Sequence, residues 1–219
     1  MKISAMKALK TASVIGMAIA LSGCVTLLPK VKPAQLYRFG YEPELVDQTK
    51  TTAPQGQMPI GLIFGTVTFP GDSAGDQILT VEGSEVSYVA QARWAASASG
   101  LFNEAVSAGF ARSSQIVSLE PRGPTAANYR LDISVRKFET NYRRNRPTVS
   151  VALDARLIRV SDRAVVGQKY LNADIEVRRN RMNEMANGYN QATTQVVSDL
   201  VKFTETALQA AEQAAPTAQ

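Results

Sequence analysis

Three long runs of alternating apolar and polar residues are the feature that most constrains the fold of this chain. They read YRLDISVRKFE, TVSVALDARLIRV and VVGQKYLNADIEV, and the turn signal SDRA separates the second run from the third. Alternation with a period of two predicts strands that bury one face. Because a short polar turn joins the last two runs, they predict a long antiparallel hairpin.

Shorter runs predict further strands. The segment IGLIFGTVTF, residues 60–69, is apolar on both faces, which suits a buried strand. QILTV and QIVSLE predict two short strands, and EVSYVAQARW alternates between apolar and polar residues. This alternation predicts that one face of the strand carries Val86, Tyr88, Ala90, Ala92 and Trp94.

Two segments follow the period of a helix instead. In SASGLFNEAVSAGF, Ser97 or Ser99 is placed to cap the helix. Its apolar face carries Leu101, Ala105 and Ala108, joined by Phe102 and Val106. A second helix of roughly 28 residues, about 42 Å long, is predicted from about Met182. Its apolar stripe consists of Met185, Tyr189, Ala192, Val196, Leu200, Phe203 and Ala207.

The order of strands, helix, strands and helix predicts an α+β fold. We expect a two-layer sandwich in which both helices pack on one face of an antiparallel or mixed β-sheet. This domain covers residues 58–213, and residues 214–219 form a disordered tail. Residues 24–57, rich in Pro, Thr, Gln and Lys, predict an extended tether, and LYRFGY at 36–41 is a candidate first short strand within it.

The N-terminus has the three zones of an export signal. Lys2, Lys7 and Lys10 precede an apolar run over residues 12–21. That run has roughly ten residues, whereas a helix needs about 20 to span a bilayer. The pattern therefore predicts a secretory signal over residues 1–23 rather than a transmembrane anchor.

The signal ends in LSGC, which is Leu21, Ser22, Gly23 and Cys24, and this stretch resembles the lipobox of bacterial lipoproteins. The resemblance implies that a diacylglycerol is attached to the Cys24 sulfur, that cleavage falls before Cys24, and that the new amine is acylated. Two or three acyl chains anchor a protein stably. Val25 follows the cysteine, whereas Asp at that position retains many enteric lipoproteins in the inner membrane. We therefore expect an outer-membrane anchor with the domain facing the periplasm. The alternative is a secreted protein with a cysteine near its cleavage site.

Composition limits the chemistry that the chain can perform. It has no histidine and one cysteine, so a metal site has few ligands, and neither an internal disulfide nor a Ser-His-Asp triad can form. Apart from the three lysines of the signal, basic residues nearly balance the 19 acidic ones, which gives little support for nucleic-acid binding. Asp72, Asp76 and Glu82 lie in turn-forming contexts. We expect no catalytic residue, no metal and no cofactor beyond the lipid on Cys24.

The chain resembles the ABC-type transport auxiliary lipoproteins. The resemblance rests on the lipobox, the YRF element that follows it, Tyr88 and Trp94 shortly before Leu101, and the pair Phe138-Glu139 at a strand end. In this family the Trp opens a helix. The family implies a lipid-anchored periplasmic accessory of an intermembrane lipid transport system. Its partners would be a permease, an ATPase and a substrate-binding protein of the mammalian-cell-entry type. The chain lacks a phosphate-binding loop, so the ATPase must be a separate chain.

Two groups of residues are candidates for partner binding, and each also has a structural interpretation. Tyr88 and Trp94 form either a hot spot or part of the core. Arg143, Arg144 and Arg146, like the later VRRNR stretch at 177–181, face either lipid headgroups and acidic partners or only solvent. An exposed end of the last helix is a candidate contact for a partner or a homo-oligomer. The alternative function is a structural or assembly lipoprotein that binds an envelope protein or the cell wall.

Overall fold

A computed structural model describes residues 33–40, 60–114, 116–119, 127–143 and 146–214. Eight strands and two helices lie in these ranges. The strands are β1 Gln35–Tyr37, β2 Ile60–Thr68, β3 Gln77–Glu82, β4 Glu85–Trp94, β5 Val117–Ser118, β6 Tyr129–Arg143, β7 Arg146–Arg159 and β8 Val165–Glu176. The helices are α1 Ala98–Ser113 and α2 Met182–Gln213.

The long strands β6, β7 and β8 form an antiparallel meander, as the alternating runs predict. The other edge of β6 is shared by two strands that run parallel to it, β2 along its first half and β3 near its end. Strand β4 pairs antiparallel with β3, β1 runs parallel to β4, and β5 runs parallel to β2. The sheet is therefore mixed.

Both helices cover the same side of this sheet, which we call the helix-facing side. The ring of Phe138 on β6 lies 6.5 Å from Phe102 of α1 and 4.9 Å from Tyr189 of α2, measured between ring centroids. The helices also touch each other, since a Cβ at Gly109 of α1 would clash with Val197 of α2. The predicted α+β two-layer sandwich is confirmed.

The opposite side of the sheet, the open side, is polar over β6 and β7. Ion pairs join Arg130 to Asp132 at 3.1 Å and Arg136 to Asp154 at 2.6 Å. Alternation explains this division, because Leu131, Ile133 and Val135 of β6 are buried while the residues between them point to the open side. A one-residue bulge after Val135 then shifts the alternation by one residue and brings Phe138 into the core.

The helices follow their sequence signals closely. Ser97 is the cap of α1, and its Oγ accepts a hydrogen bond from the Gly100 amide at 3.2 Å. Ala108 is only partly buried, and the far end of the α1 face is completed by Phe110. The second helix has 32 residues and buries Met185, Tyr189, Ala192, Val196 and Leu200 of its predicted stripe, with Phe203 and Ala207 partly buried. No helix in the described ranges is long and apolar enough to cross a membrane.

One of the short-strand predictions needs correction, and another is confirmed. Of the described residues of QIVSLE, Val117 and Ser118 form a strand, which is shorter than predicted, while the candidate first strand in LYRFGY corresponds to β1 at Gln35–Tyr37. Phe39, just after β1, is 2% exposed, so part of the segment predicted as a tether belongs to the core. Trp94 does not open a helix, because it ends β4 and α1 begins at Ala98.

The predicted single face of β4 is wrong. Leu79 pairs with Tyr88 but Gln77 pairs with Arg93, so two steps along β3 correspond to five along β4. Gln91 in this irregular stretch has a φ of 57°. An odd number of extra residues reverses the faces of a strand. Ala92 and Trp94 therefore lie in the core, whereas Val86 and Tyr88 are exposed.

Several sequence predictions lie outside the described residues. These are the signal over residues 1–23, the lipobox residues Leu21, Ser22, Gly23 and Cys24, the candidate Arg144, and all but the first residue of the predicted tail.

Candidate interaction surfaces

Trp94 is a core residue and is not available to a partner. It is 2% exposed, and its ring lies 4.8 Å from Phe39 and 4.9 Å from Tyr189 in edge-on contacts. Phe138 completes this aromatic cluster at 6.3 Å from Trp94. The cluster joins β1, β4, β6 and α2, so the structural interpretation of Trp94 is correct.

Tyr189 contributes a buried hydroxyl group to this aromatic cluster. Its hydroxyl donates to the Leu79 carbonyl at 3.4 Å and accepts from the Thr140 hydroxyl at 3.3 Å. Burial raises the pKa of the Tyr189 phenol well above its usual value. Because buried polar groups need partners, these two bonds connect α2 to β3 and β6.

Tyr88 belongs to a different surface. Its side chain is 42% exposed, and its hydroxyl donates to the Asp72 carbonyl in the β2–β3 turn at 3.1 Å. Also on the open side, Val86 of β4 is 50% exposed and Leu36 of the neighbouring strand β1 is 65% exposed. We call Leu36, Val86 and Tyr88 the open-side apolar residues. Tyrosine side chains are enriched at the centre of binding surfaces.

The candidate arginines gather at one end of the sheet. Arg143 pairs with Arg146 across the β6–β7 turn, and Arg146 forms an exposed ion pair with Glu176 at 3.0 Å. A backbone bond from the Val177 amide to the Pro147 carbonyl, 2.9 Å, brings the following residues to the same end. We call this region the arginine end. It comprises Arg143, Arg146, Arg178, Arg179 and Arg181.

Strand β8 borders a groove of about 670 Å³ beside the C-terminal half of α2. Gly167 permits the close approach of the helix, because a Cβ there would meet Ala207 and Phe203. Among the described strands β8 pairs only with β7, so it is an edge. Lys169 points to the helix-facing side of this edge and stays exposed, an arrangement that discourages unwanted strand pairing.

The three acidic residues considered in the sequence, Asp72, Asp76 and Glu82, do not form a common site. Asp76 forms an exposed ion pair with Arg93 at 2.9 Å, the backbone of Asp72 bonds Tyr88, and Glu82 lies at the β3–β4 turn. Within the described ranges, no group of three or more His, Cys, Asp or Glu side chains is arranged to hold a metal ion.

The open-side position of Leu36 and Val86 was missed in the sequence, because the bulge in β4 has no clear sequence signal.

The fold defines a small α+β sandwich of a kind found in other proteins. A crystal structure of a protein from Xanthomonas campestris superposes with a TM-score of 0.69 at 23% identity, covering 82% of this chain and 99% of that one. A second crystal structure, of an uncharacterised protein, gives a TM-score of 0.58 at 14% identity, with 78% and 98% coverage. No curated protein matches the chain.

The family model for the ABC-type transport auxiliary lipoprotein component matches residues 44–201. The chain belongs to this family. It is therefore a lipoprotein-type auxiliary component of a transport system, and the resemblance seen in the sequence is confirmed.

Proposed function

We propose that this protein is a lipid-anchored periplasmic accessory of an ABC-type system that moves lipids between the two bacterial membranes. The observation that carries the proposal is the family match over residues 44–201, and the resemblance of residues 1–24 to a lipoprotein signal supports it. Cleavage before Cys24 would leave an acylated cysteine as the first residue. Val25 favours retention in the outer membrane, with the domain facing the periplasm.

The proposed mechanism is positional rather than catalytic. The acyl chains hold one end of the protein in the membrane, and the sandwich presents a rigid surface to the substrate-binding protein of the mammalian-cell-entry type. ATP hydrolysis and membrane passage are assigned to the ATPase and permease chains. The family is one of transport components, which supports a function without chemistry of its own.

The open-side apolar residues are the surface that we assign to this partner. Tyr88 has a fixed orientation because its hydroxyl is bonded to the β2–β3 turn, and a rigid aromatic side chain loses little entropy on binding. Leu36 and Val86 extend the apolar area on the same side.

Affinity capture from detergent-solubilised envelopes tests the proposal. The tagged protein should recover the permease, the ATPase and the mammalian-cell-entry-type protein. A Cys24→Ser variant controls for the anchor. If the captured proteins are instead outer-membrane assembly factors or cell-wall-bound proteins, the protein is a structural or assembly lipoprotein and the transport proposal is wrong.

A substitution on the open side should separate binding from folding. We expect Tyr88→Asp to lose most of the captured substrate-binding protein, because a charge would be desolvated in the interface. Tyr170→Asp is the matched control, since Tyr170 is 53% exposed on β8 at a distance from the open-side apolar residues. Equal recovery with both variants would contradict the assignment of this surface.

A further inference from the structure

The edges of the sheet are protected unequally. Two of the described edges are β1 and β5, which have only 3 and 2 residues. Strand β8 has 12 residues, and among the described strands it pairs only with β7. Its register against β7 is unbroken from Gly167 to Glu176, without a bulge that would turn the edge away. Because natural sheets shorten, bend or cover a long edge, β8 is the edge that requires a cover.

The hydrogen bonds of the β7–β8 hairpin show which backbone groups this edge presents. The Val177 amide donates to the Pro147 carbonyl at 2.9 Å, so these two residues form a hydrogen-bonded pair. Such pairs alternate along an antiparallel ladder with pairs whose N–H and C=O groups point outward. Within the described ranges, no hydrogen bond reaches the outward backbone groups of β8. By the unbroken register, these groups belong to Gln168, Tyr170, Asn172, Asp174 and Glu176.

A groove beside this edge has room for an added strand. The C-terminal half of α2 forms its other wall, and its volume is about 670 Å³. The helix runs antiparallel to β8, because Gly167 lies close to Ala207 whereas Val177 lies close to Gly188. Phe203 and Ala207 supply apolar surface beside Gly167. Extended peptides bind other domains by adding a strand to an exposed sheet edge, where pockets accept alternate side chains.

The charged residues of the groove specify one property of its occupant. Lys169 is the next residue after Gly167 that points to the helix-facing side, and it is exposed. It forms no ion pair with the described residues. The other charged residues that line the groove are Lys202 and Asp199 of α2, which pair with each other at 3.9 Å. The groove therefore has one excess positive charge, at Lys169. Such a lysine disfavours an apolar or basic strand and favours one with a carboxylate beside it.

We propose that the groove between β8 and α2 binds an extended segment of a partner protein, which adds a strand to the edge of β8. The segment carries an acidic side chain beside Lys169 and, two residues away, an apolar side chain beside Phe203. Backbone hydrogen bonds supply the affinity, and these two side chains supply the specificity. The contact uses the backbone of Tyr170 and not its side chain, which points to the open side. It depends neither on the lipid anchor nor on the open-side apolar residues.

Hydrogen exchange on the full lipidated protein in detergent tests the proposal with two fused probe strands. Ala210 lines the groove, so a probe fused after Gln219 can reach it through a linker of about 15 Gly and Ser residues, which spans roughly 20 Å. The probes are strands of alternating valine and threonine in which one valine is replaced by glutamate or by lysine. Lys169→Glu reverses the charge in the groove. Lys137→Glu is the control of equal charge change, because Lys137 is exposed on β6 and does not line the groove.

With the glutamate probe, the amides of Gln168, Tyr170 and Asn172 should exchange roughly tenfold more slowly than in the protein without a probe, as expected for an edge occupied about nine-tenths of the time. The amides between them, which are bonded to β7, should not change. Lys169→Glu should transfer this protection to the lysine probe, whereas Lys137→Glu should leave it with the glutamate probe.

Equal exchange of the outward amides with and without the probes would overturn the proposal. Equal protection by both probes would overturn the assignment of an acidic residue to the occupant. Outward amides that are protected without any probe would mean that another segment of this chain covers the edge or, if the protection grows with protein concentration, that a second copy does. Either result would overturn the binding of a partner.

Discussion

At the scale of single residues, two neighbouring aromatic side chains of β4 have opposite surroundings. Trp94 is enclosed by Phe39, Phe138 and Tyr189, whereas Tyr88 stands on the open side. The irregular stretch around Gln91 separates the two environments. Stability and recognition are therefore assigned to different residues of one strand, and each assignment can be measured.

Trp94→Ala should reduce the free energy of unfolding by about 3–5 kcal/mol, because it removes a large buried ring and leaves a cavity. Tyr88→Ala should change it by less than about 1 kcal/mol, as is usual for exposed positions. Urea denaturation of residues 24–219 carrying Cys24→Ser measures both. Similar losses in the two variants would contradict the placement of Trp94 in the core.

Tyr189 predicts a dependence of stability on alkaline pH. Burial raises the pKa of its phenol above the usual value of 10.0, so above that pH the unfolded chain releases a proton that the folded chain retains. The free energy of unfolding should therefore fall as the pH rises above 10. Burial also raises the pKa of Tyr129 and Tyr142, so Tyr189→Phe should weaken this fall without abolishing it.

The Tyr189→Phe variant also loses two buried hydrogen bonds, which should cost about 1–3 kcal/mol at neutral pH. Denaturation midpoints at neutral and alkaline pH separate the two effects. An alkaline slope equal to that of the unmodified protein would show that Tyr189 does not titrate differently in the folded state.

At the scale of elements, the two helices pack closely through small residues. Gly109 of α1 faces Val197 of α2 with no room for a side chain, and Gly188 of α2 lies against Val149 and Val177. These contacts hold the helical layer on the sheet, because the central strands bury their apolar residues beneath both helices.

Gly109→Ala should destabilise the protein by about 1–3 kcal/mol despite the better helix propensity of alanine, because the added methyl group overpacks the contact with Val197. Ala108→Gly is a useful comparison, since it lies beside the contact and should lose only about 1 kcal/mol of propensity. Thermal unfolding of both variants shows which substitution lowers the stability more. A stabilised Gly109→Ala protein would mean that the helices can move apart at no cost.

The sequence predicts regular elements well and irregular ones poorly. The hairpin of β7 and β8 and the stripe of α2 follow from hydrophobic periods that continue over many residues. The two faces of β4 could not be predicted, because a bulge depends on how β3 and β1 pair with it. The pairing of β6 with both β2 and β3 is likewise a tertiary feature that leaves no local pattern.

Candidate site residues show the same limits. The sequence placed the arginines near strand ends, but only the pairing of the strands shows that Arg146 and the residues after Val177 share one end. Tyr88 and Trp94 were grouped together because alternation assumes an unbroken strand.

At the scale of the whole molecule, the proposed function depends on where the sandwich is held. The family assigns the chain to transport auxiliaries, and the sandwich exposes apolar side chains that are available for contacts. For a module that we propose to act by position rather than by chemistry, the lipid proposed on Cys24 would supply the fixed position.

Mass spectrometry of the protein purified from native membranes tests this central claim most directly. We expect the first residue to be Cys24, carrying a diacylglycerol on its sulfur and an acyl group on its amine, with residues 1–23 removed. An unmodified thiol at Cys24, or a chain that retains residues 1–23, would contradict the account.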